Sequence, residues 1–175
     1  MPDGTNPRAP VVLKPIGIIH TPYKEPRGTP IQSAMREARD VEATVEVFPE
    51  YAAGLKDIDG FSHVMLIYYF HRAREPGLAV IPFLDTEPRG VFSTRSPARP
   101  NPIGISVVRL VSVRPEGFLL VKGIDIVDGT PLLDIKPYIP AFDTHAADRT
   151  GWLGSKGSLA GSCKDDGRFA SGDKS

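Results

Sequence analysis

"IGISVVRLVSVRPEGFLLVKGIDIVDGTPLLDIKPYI", residues 103–139, decides the fold class. The run up to Arg114 is rich in Val and Ile and reads as one long strand. "FLLVKGIDIVDGTPLLDIKPYI" reads as two more strands about the turn Asp128-Gly129, and an Asp-Gly pair predicts that these two form a hairpin. Upstream, "SHVMLIYYFHR" (Ser62 to Arg72) is too apolar for a half-exposed element, which predicts a central strand. "ATVEVF" alternates cleanly as a strand, and "VVLKPIGIIHTPY" (Val11 to Tyr23) has strand composition interrupted by Pro15. "RGVFSTR" predicts a short strand and "EPGLAVIPFLDTEPR" a turn-rich connector. "PEYAAGLKDIDGF" suits one short helix with Leu55, Ile58 and Tyr51 facing inward. Lys24 to Asp40 carries Pro26, Gly28 and Pro30 without a sustained period and reads as a long irregular loop. No strand runs into GxGxxG and no βαβ rhythm appears, which argues against a dinucleotide-binding fold. The expectation is an all-β chain: a small antiparallel β-barrel of about six or seven strands with a short helix and long loops.

The bulk numbers agree. A chain of 175 residues suits one domain, and 18 prolines with 17 glycines favour short elements joined by turns. Three segments are expected: a flexible lead-in over 1–10, the barrel over 11–143, and a mobile glycine-rich tail over 144–175, with Trp152 and Leu153 available as anchors. Net charge is zero, so nucleic-acid binding would have to come from local charge separation. Cys163 is the only cysteine, and the four histidines lack HxxxH or HExxH spacing, so no disulfide and no metal site is expected. The start is not signal-like and no apolar run reaches about 18 residues, so a soluble cytoplasmic protein without a membrane partner is expected.

Four stretches could carry chemistry. "RSPARPNPIG" (Arg95 to Gly104) holds three prolines and two arginines. Each proline fixes its own φ and restricts the residue before it, so Arg95, Ser96, Arg99 and Asn101 are held in few conformations before a ligand arrives. That suits an arginine clamp on a carboxylate or phosphate; the alternative is a plain corner between strands. Arg89, Arg95, Arg99, Arg109 and Arg114 form a block with no acidic residue among them, either a surface for nucleic-acid phosphates or a solvated face. "GIDIVDGTP" (Gly123 to Pro131) places Asp125 and Asp128 at a strand end, where carboxylates could bind ribose hydroxyls or a cationic group. "FHR" closes the most apolar strand with His71 and Arg72, which are ligand contacts or structural polar residues. Ser96 and Ser106 lack a G-x-S-x-G setting, so acyl transfer has no support.

"VFSTRSPARPNPIGISVVRL" followed by "IDIVDGTPLLDIKPYIP", together with "PIGIIHTPYKEPRGTPIQ" and "GFSHVMLIYYFHR", resembles the TrmO/TsaA-like family over most of residues 11–143, with the motifs in the same order. The resemblance implies an S-adenosylmethionine-dependent tRNA methyltransferase on a β-barrel. Its acceptor would be the exocyclic nitrogen of threonylcarbamoylated adenosine beside the anticodon. It also implies a homodimer with the cofactor near the interface. By motif, the cofactor contacts would be Pro30, Ile31, Gln32, His71, Arg72, Arg95, Ile105, Asp125, Ile126, Val127 and Asp128. Arg89, Arg99 and Arg109 are candidates for tRNA phosphates. His71, Asp125 and Asp128 are candidates for the base that takes the acceptor's proton, and the sequence does not choose among them. Ala98 stands where family members commonly carry a bulkier residue such as His, and a glycine-rich tail stands where longer members have a further domain. A non-catalytic S-adenosylmethionine-binding adaptor, an RNA-binding barrel without a small ligand, and an enzyme acting on a small acceptor are the competing readings.

Overall fold

The computed structural model describes residues 8–33 and 38–171. Eight strands form: β1 (Gly17–His20), β2 (Glu42–Val47), β3 (His63–Tyr69), β4 (Ala79–Val80), β5 (Arg89–Gly90), β6 (Ile103–Arg114), β7 (Phe118–Lys122) and β8 (Thr130–Pro137). Six of them close an antiparallel barrel in the order β1-β2-β7-β6-β3-β8, while β4 and β5 make a separate ribbon. The closed all-β barrel agrees with the expected fold class. Alternate residues point inward, so Ile19, Val45, Val64, Leu66, Val108, Leu119, Val121 and Leu132 fill the interior.

Several local expectations are corrected. Only Gly17–His20 of the first apolar stretch is strand. The segment after Phe48 forms two 3₁₀ turns, Pro49–Leu55 and Ile58–Gly60, instead of one helix. Leu55 and Ile58 do pack against the core, whereas Tyr51 stays exposed. The only α-helix among the described residues is α1, Pro140–Asp143. β5 is two residues long and runs into a 3₁₀ turn over Val91–Ser93.

The largest correction concerns β7 and β8. They are not a hairpin: β7 pairs with β2 and β6, and β8 with β1 and β3. In a six-membered ring those positions are opposite one another, so residues 123–129 run across the end of the barrel. Gly123 and Gly129 turn the chain at the two ends of this crossing with φ of 83° and 74°. Ile124 and Ile126 drop into the core as a plug. The backbone of the crossing is satisfied by its neighbours: Thr21 Oγ1 donates to Ile126 O, Asp128 N to Tyr23 O, and Gly129 N to Ile19 O. The true hairpin turn is Pro115–Gly117 between β6 and β7, where Gly117 has φ 94°.

Gly104 shows how closely the barrel wall is packed. It sits opposite Tyr68 across the β3–β6 ladder. A Cβ there would overlap Cε2 and Cζ of the Tyr68 ring and lie 2.8 Å from Phe70 Cζ. Gly104→Ala is expected to destabilise the protein by about 1–3 kcal/mol through overpacking, read as a lowered denaturation midpoint with an unchanged slope.

Residues 144–171 do not lead away from the barrel as a separate tail. Lys164 bridges to Pro30 and Ala170 to Ala73, and Arg74 N donates to Phe169 O. Phe169 is 2% exposed and joins Val80, Val91 and Ala98 in a second small core, with Phe83 edge-on to it at 5.0 Å. Burying Phe169 contributes about 1.5–3 kcal/mol toward holding the glycine-rich strap, alongside those backbone bonds. Trp152 donates its indole N–H to Ser93 O at 2.7 Å, so it is an anchor.

Candidate functional site

The plugged end of the barrel carries a cavity of about 210 Å³. The first long loop, the end of β3, the proline loop and the 123–129 crossing build most of its wall, and Phe83 with Asp165, Phe169 and Ala170 of the C-terminal strap complete it. Alternation along the crossing sorts its side chains, with Ile124 fully buried in the plug and Asp125 and Val127 only partly buried. Pro30, Ile31, Gln32, His71, Arg72, Arg95, Ile105, Asp125, Ile126 and Val127 all line the cavity. Stretches far apart in sequence thus converge on one space.

Asp128 does not. Its carboxylate accepts from Thr21 N at 2.8 Å and from Lys24 Nζ at 2.7 Å. The Lys24 contact, then the Thr21 amide, holds it below the usual carboxylate range. It fastens the crossing to the end of β1 and is absent from the cavity lining.

Asp125 has the opposite environment. Burial pushes its carboxyl up to about 6, against hydrogen bonds from Ser106 Oγ at 2.6 Å and from the Ser33 amide. Ser106 in turn meets the Tyr68 hydroxyl at 3.0 Å, so a buried chain Tyr68–Ser106–Asp125 runs from the barrel interior to the cavity. Desolvation, with the nearby Asp125 charge, raises the Tyr68 phenol well above its normal range and keeps it protonated. Burial, followed by Arg72, lowers the His71 imidazole, so it is neutral near pH 7. Its Nδ1 lies 3.3 Å from Thr130 Oγ1.

The arginine block divides by task. Arg95 Nη1 donates to Gln32 Oε1 at 2.5 Å, and among the described residues no carboxylate lies within ion-pair distance of it. Arg99 is partly buried and ties the proline loop together through Val91 O and Thr94 O, both at 3.2 Å. It also lines the cavity. Arg89 pairs with Asp85 at 2.8 Å and lies 6.0 Å over the Trp152 ring. Arg109 is exposed on β6, across from His63 and Lys122 and away from the cavity. Ala98 is 1% exposed in the small core, so its size answers to packing and not to the outer surface.

Sequence reasoning missed Tyr68, Phe70, Thr130, Phe83, Asp165 and Phe169, which also line the cavity. "YYFHR" offered a signal for Tyr68, since a polar Tyr hydroxyl in an apolar strand needs a partner. Asp165 and Phe169 lie in the glycine-rich stretch and left no comparable mark. Among the described residues no cluster of His, Cys, Asp and Glu could hold a metal ion, and no helix is long and apolar enough to cross a membrane.

Comparison with known proteins places this geometry. The family "tRNA-methyltransferase O N-terminal domain" matches residues 18–144. A probable S-adenosyl-L-methionine-binding protein of Pyrococcus abyssi is 56% identical over 92% of this chain and 86% of its own length. The tRNA (adenine(37)-N6)-methyltransferase of Escherichia coli is 38% identical over 71% of this chain, which spans 56% of that enzyme. The crystal structure of TrmO from Pseudomonas aeruginosa superimposes with a TM-score of 0.68 at 37% identity, covering 83% of this chain and 62% of that one. With that family model matching residues 18–144 and the same barrel in a solved relative, the chain belongs to the tRNA-methyltransferase O N-terminal domain family.

Proposed function

We propose that the protein is an S-adenosylmethionine-dependent tRNA methyltransferase acting on the exocyclic N6 of threonylcarbamoyladenosine beside the anticodon. The convergence of the first loop, the β3 end, the proline loop and the 123–129 crossing on one cavity carries this reading. The lining fits the cofactor. Ile31, Phe70, Ile126 and Val127 offer an apolar shelf for a flat adenosyl group, Arg72 and Arg95 offer charge to a carboxylate, and Asp125 opposes a cation.

When bound, the cofactor supplies a sulfonium methyl: the acceptor nitrogen's lone pair forms the new N–C bond as the C–S bond breaks, its electron pair stays on sulfur, and the N–H proton leaves to a base. That nitrogen is attached to a carbonyl and is a weak nucleophile while protonated. Asp125 is the base favoured here, because its carboxyl titrates at about 6 and Ser106 fixes its direction. Its ionised form dominates near neutrality yet still accepts a proton readily. Arg95 orients, and the isoleucine-rich walls exclude water, so alignment supplies much of the rate gain.

A second copy completes the site. The cavity is smaller than the roughly 300–1,000 Å³ typical of small-molecule sites, and Ile105 at its rim is 56% exposed. Ile103 and Val107 continue this apolar stripe along the outer face of β6 as far as the exposed Arg109, and Tyr69 is exposed beside it on β3. A homodimer through this face would cover the stripe and the rim together. Val107→Glu, outside the cavity lining, is expected to give monomers by light scattering and to weaken cofactor binding.

Labelled S-adenosylmethionine with tRNA carrying threonylcarbamoyladenosine tests the activity. Transfer of label to that nucleoside supports the reading. Cofactor binding without transfer would leave the adaptor reading standing instead.

A further inference from the structure

A second cavity of about 580 Å³ adjoins the first and shares Ile31, Gln32, Phe83, Arg95 and Phe169 with it. The Gln32–Arg95 pair therefore stands in the wall between them. Phe92 and Trp152 form much of its aromatic lining. Phe92 is 79% exposed on a 3₁₀ turn, and Trp152 is fixed by its bond to Ser93 O. Trp152 lies outside the residues matched by the family, and with Thr150, Leu153 and Ala160 it belongs to the C-terminal strap's share of this cavity.

We infer that this cavity is the acceptor subsite, receiving an adenine base turned out of an RNA loop and stacked against Phe92 and Trp152. The inference rests on the methyltransferase reading above. Three observations carry it. A single-stranded base is recognised by aromatic faces together with polar groups at its edge, and here the rings are joined by Ser93, Thr94, Ser96 and Gln32. The cavity abuts the donor pocket along Ile31, Gln32, Phe83, Arg95 and Phe169, so a base seated in it has its edge toward the donor. It comes within the roughly 3–3.5 Å that in-line transfer needs once the Gln32–Arg95 contact opens. Finally, the rim beside Trp152 is cationic: Arg89 and Lys156 both contact the single carboxylate of Asp85, at 2.8 and 3.1 Å, leaving a net positive charge for a flanking phosphate. This gives Arg89 its place at the RNA, as a phosphate contact beside the stacked base.

The test uses the full chain with tRNA carrying threonylcarbamoyladenosine. Phe92→Ala is expected to raise KM for tRNA roughly tenfold while leaving the cofactor Kd and kcat near wild type, and Phe92→Trp is expected to restore KM. Trp152 is the only tryptophan in the chain, so an anticodon stem-loop oligonucleotide should quench its fluorescence, and cofactor alone should not. A wild-type KM for both Phe92→Ala and Trp152→Ala, or unquenched fluorescence at saturating stem-loop, would overturn the subsite. If wild-type protein transfers no methyl group to tRNA, the methyltransferase reading falls and the subsite with it. An active wild type with indifferent variants sinks the subsite alone.

Discussion

Arg95→Ala is expected to lower kcat/KM for methyl transfer by roughly 10²–10³-fold, the range seen when one preorganised electrostatic donor is removed from an active site. The fold should hold. Arg95 is exposed, and its one side-chain hydrogen bond among the described residues goes to Gln32, so the stability change should stay within about 0.5 kcal/mol. Arg95→Lys keeps the charge and loses the planar fork, which places it between Ala and wild type. Calorimetry with the cofactor should show weakened binding in the same order. An Ala variant equal to wild type in binding and turnover would remove Arg95 from the site.

Asp125→Asn should have the other large effect, and it separates catalysis from stability. As a base Asp125 must be ionised, so the wild-type rate should rise with pH through about 6 and then level off. The Asn variant should lose roughly 10²–10⁴-fold in kcat together with that limb of the profile. Stability runs the other way. Burial raises the folded carboxyl from 3.8 to about 6, so ionisation costs nothing below pH 4. The penalty grows between about pH 4 and 6 and is constant above, on the order of 3 kcal/mol. The Asn variant keeps an acceptor for Ser106 and escapes that penalty, so it should unfold at a higher denaturant midpoint at pH 8 and match wild type near pH 4. A wild-type pH–stability curve that is flat over this window would show that Asp125 is not desolvated.

The barrel was legible because its strands advertise themselves: β-branched runs, alternation and turn residues at short spacing. The partners of those strands were less so. Asp128-Gly129 has hairpin chemistry, yet Gly123 breaks the strand early and Ile124 and Ile126 gain more by burial in the barrel end than by pairing with β8. A local turn signal lost to a long-range packing demand. The site was legible in its loops because prolines, arginines and carboxylates clustered in sequence. It was illegible where it draws on the strap: Phe169 is one apolar residue among glycines and charges, and only the two-core arrangement shows what it covers. Asp125 and Asp128 looked equivalent until geometry gave one to the cavity and the other to Lys24.

The crossing of residues 123–129 is at once a stopper and a shelf: its isoleucines seal one mouth of the barrel while Asp125, Ile126 and Val127 line the ligand space. Occupancy and melting are therefore mechanically linked. A molecule resting on that shelf should slow deuterium uptake at Val121 and Leu132, the strand residues flanking the stopper, even though neither touches it.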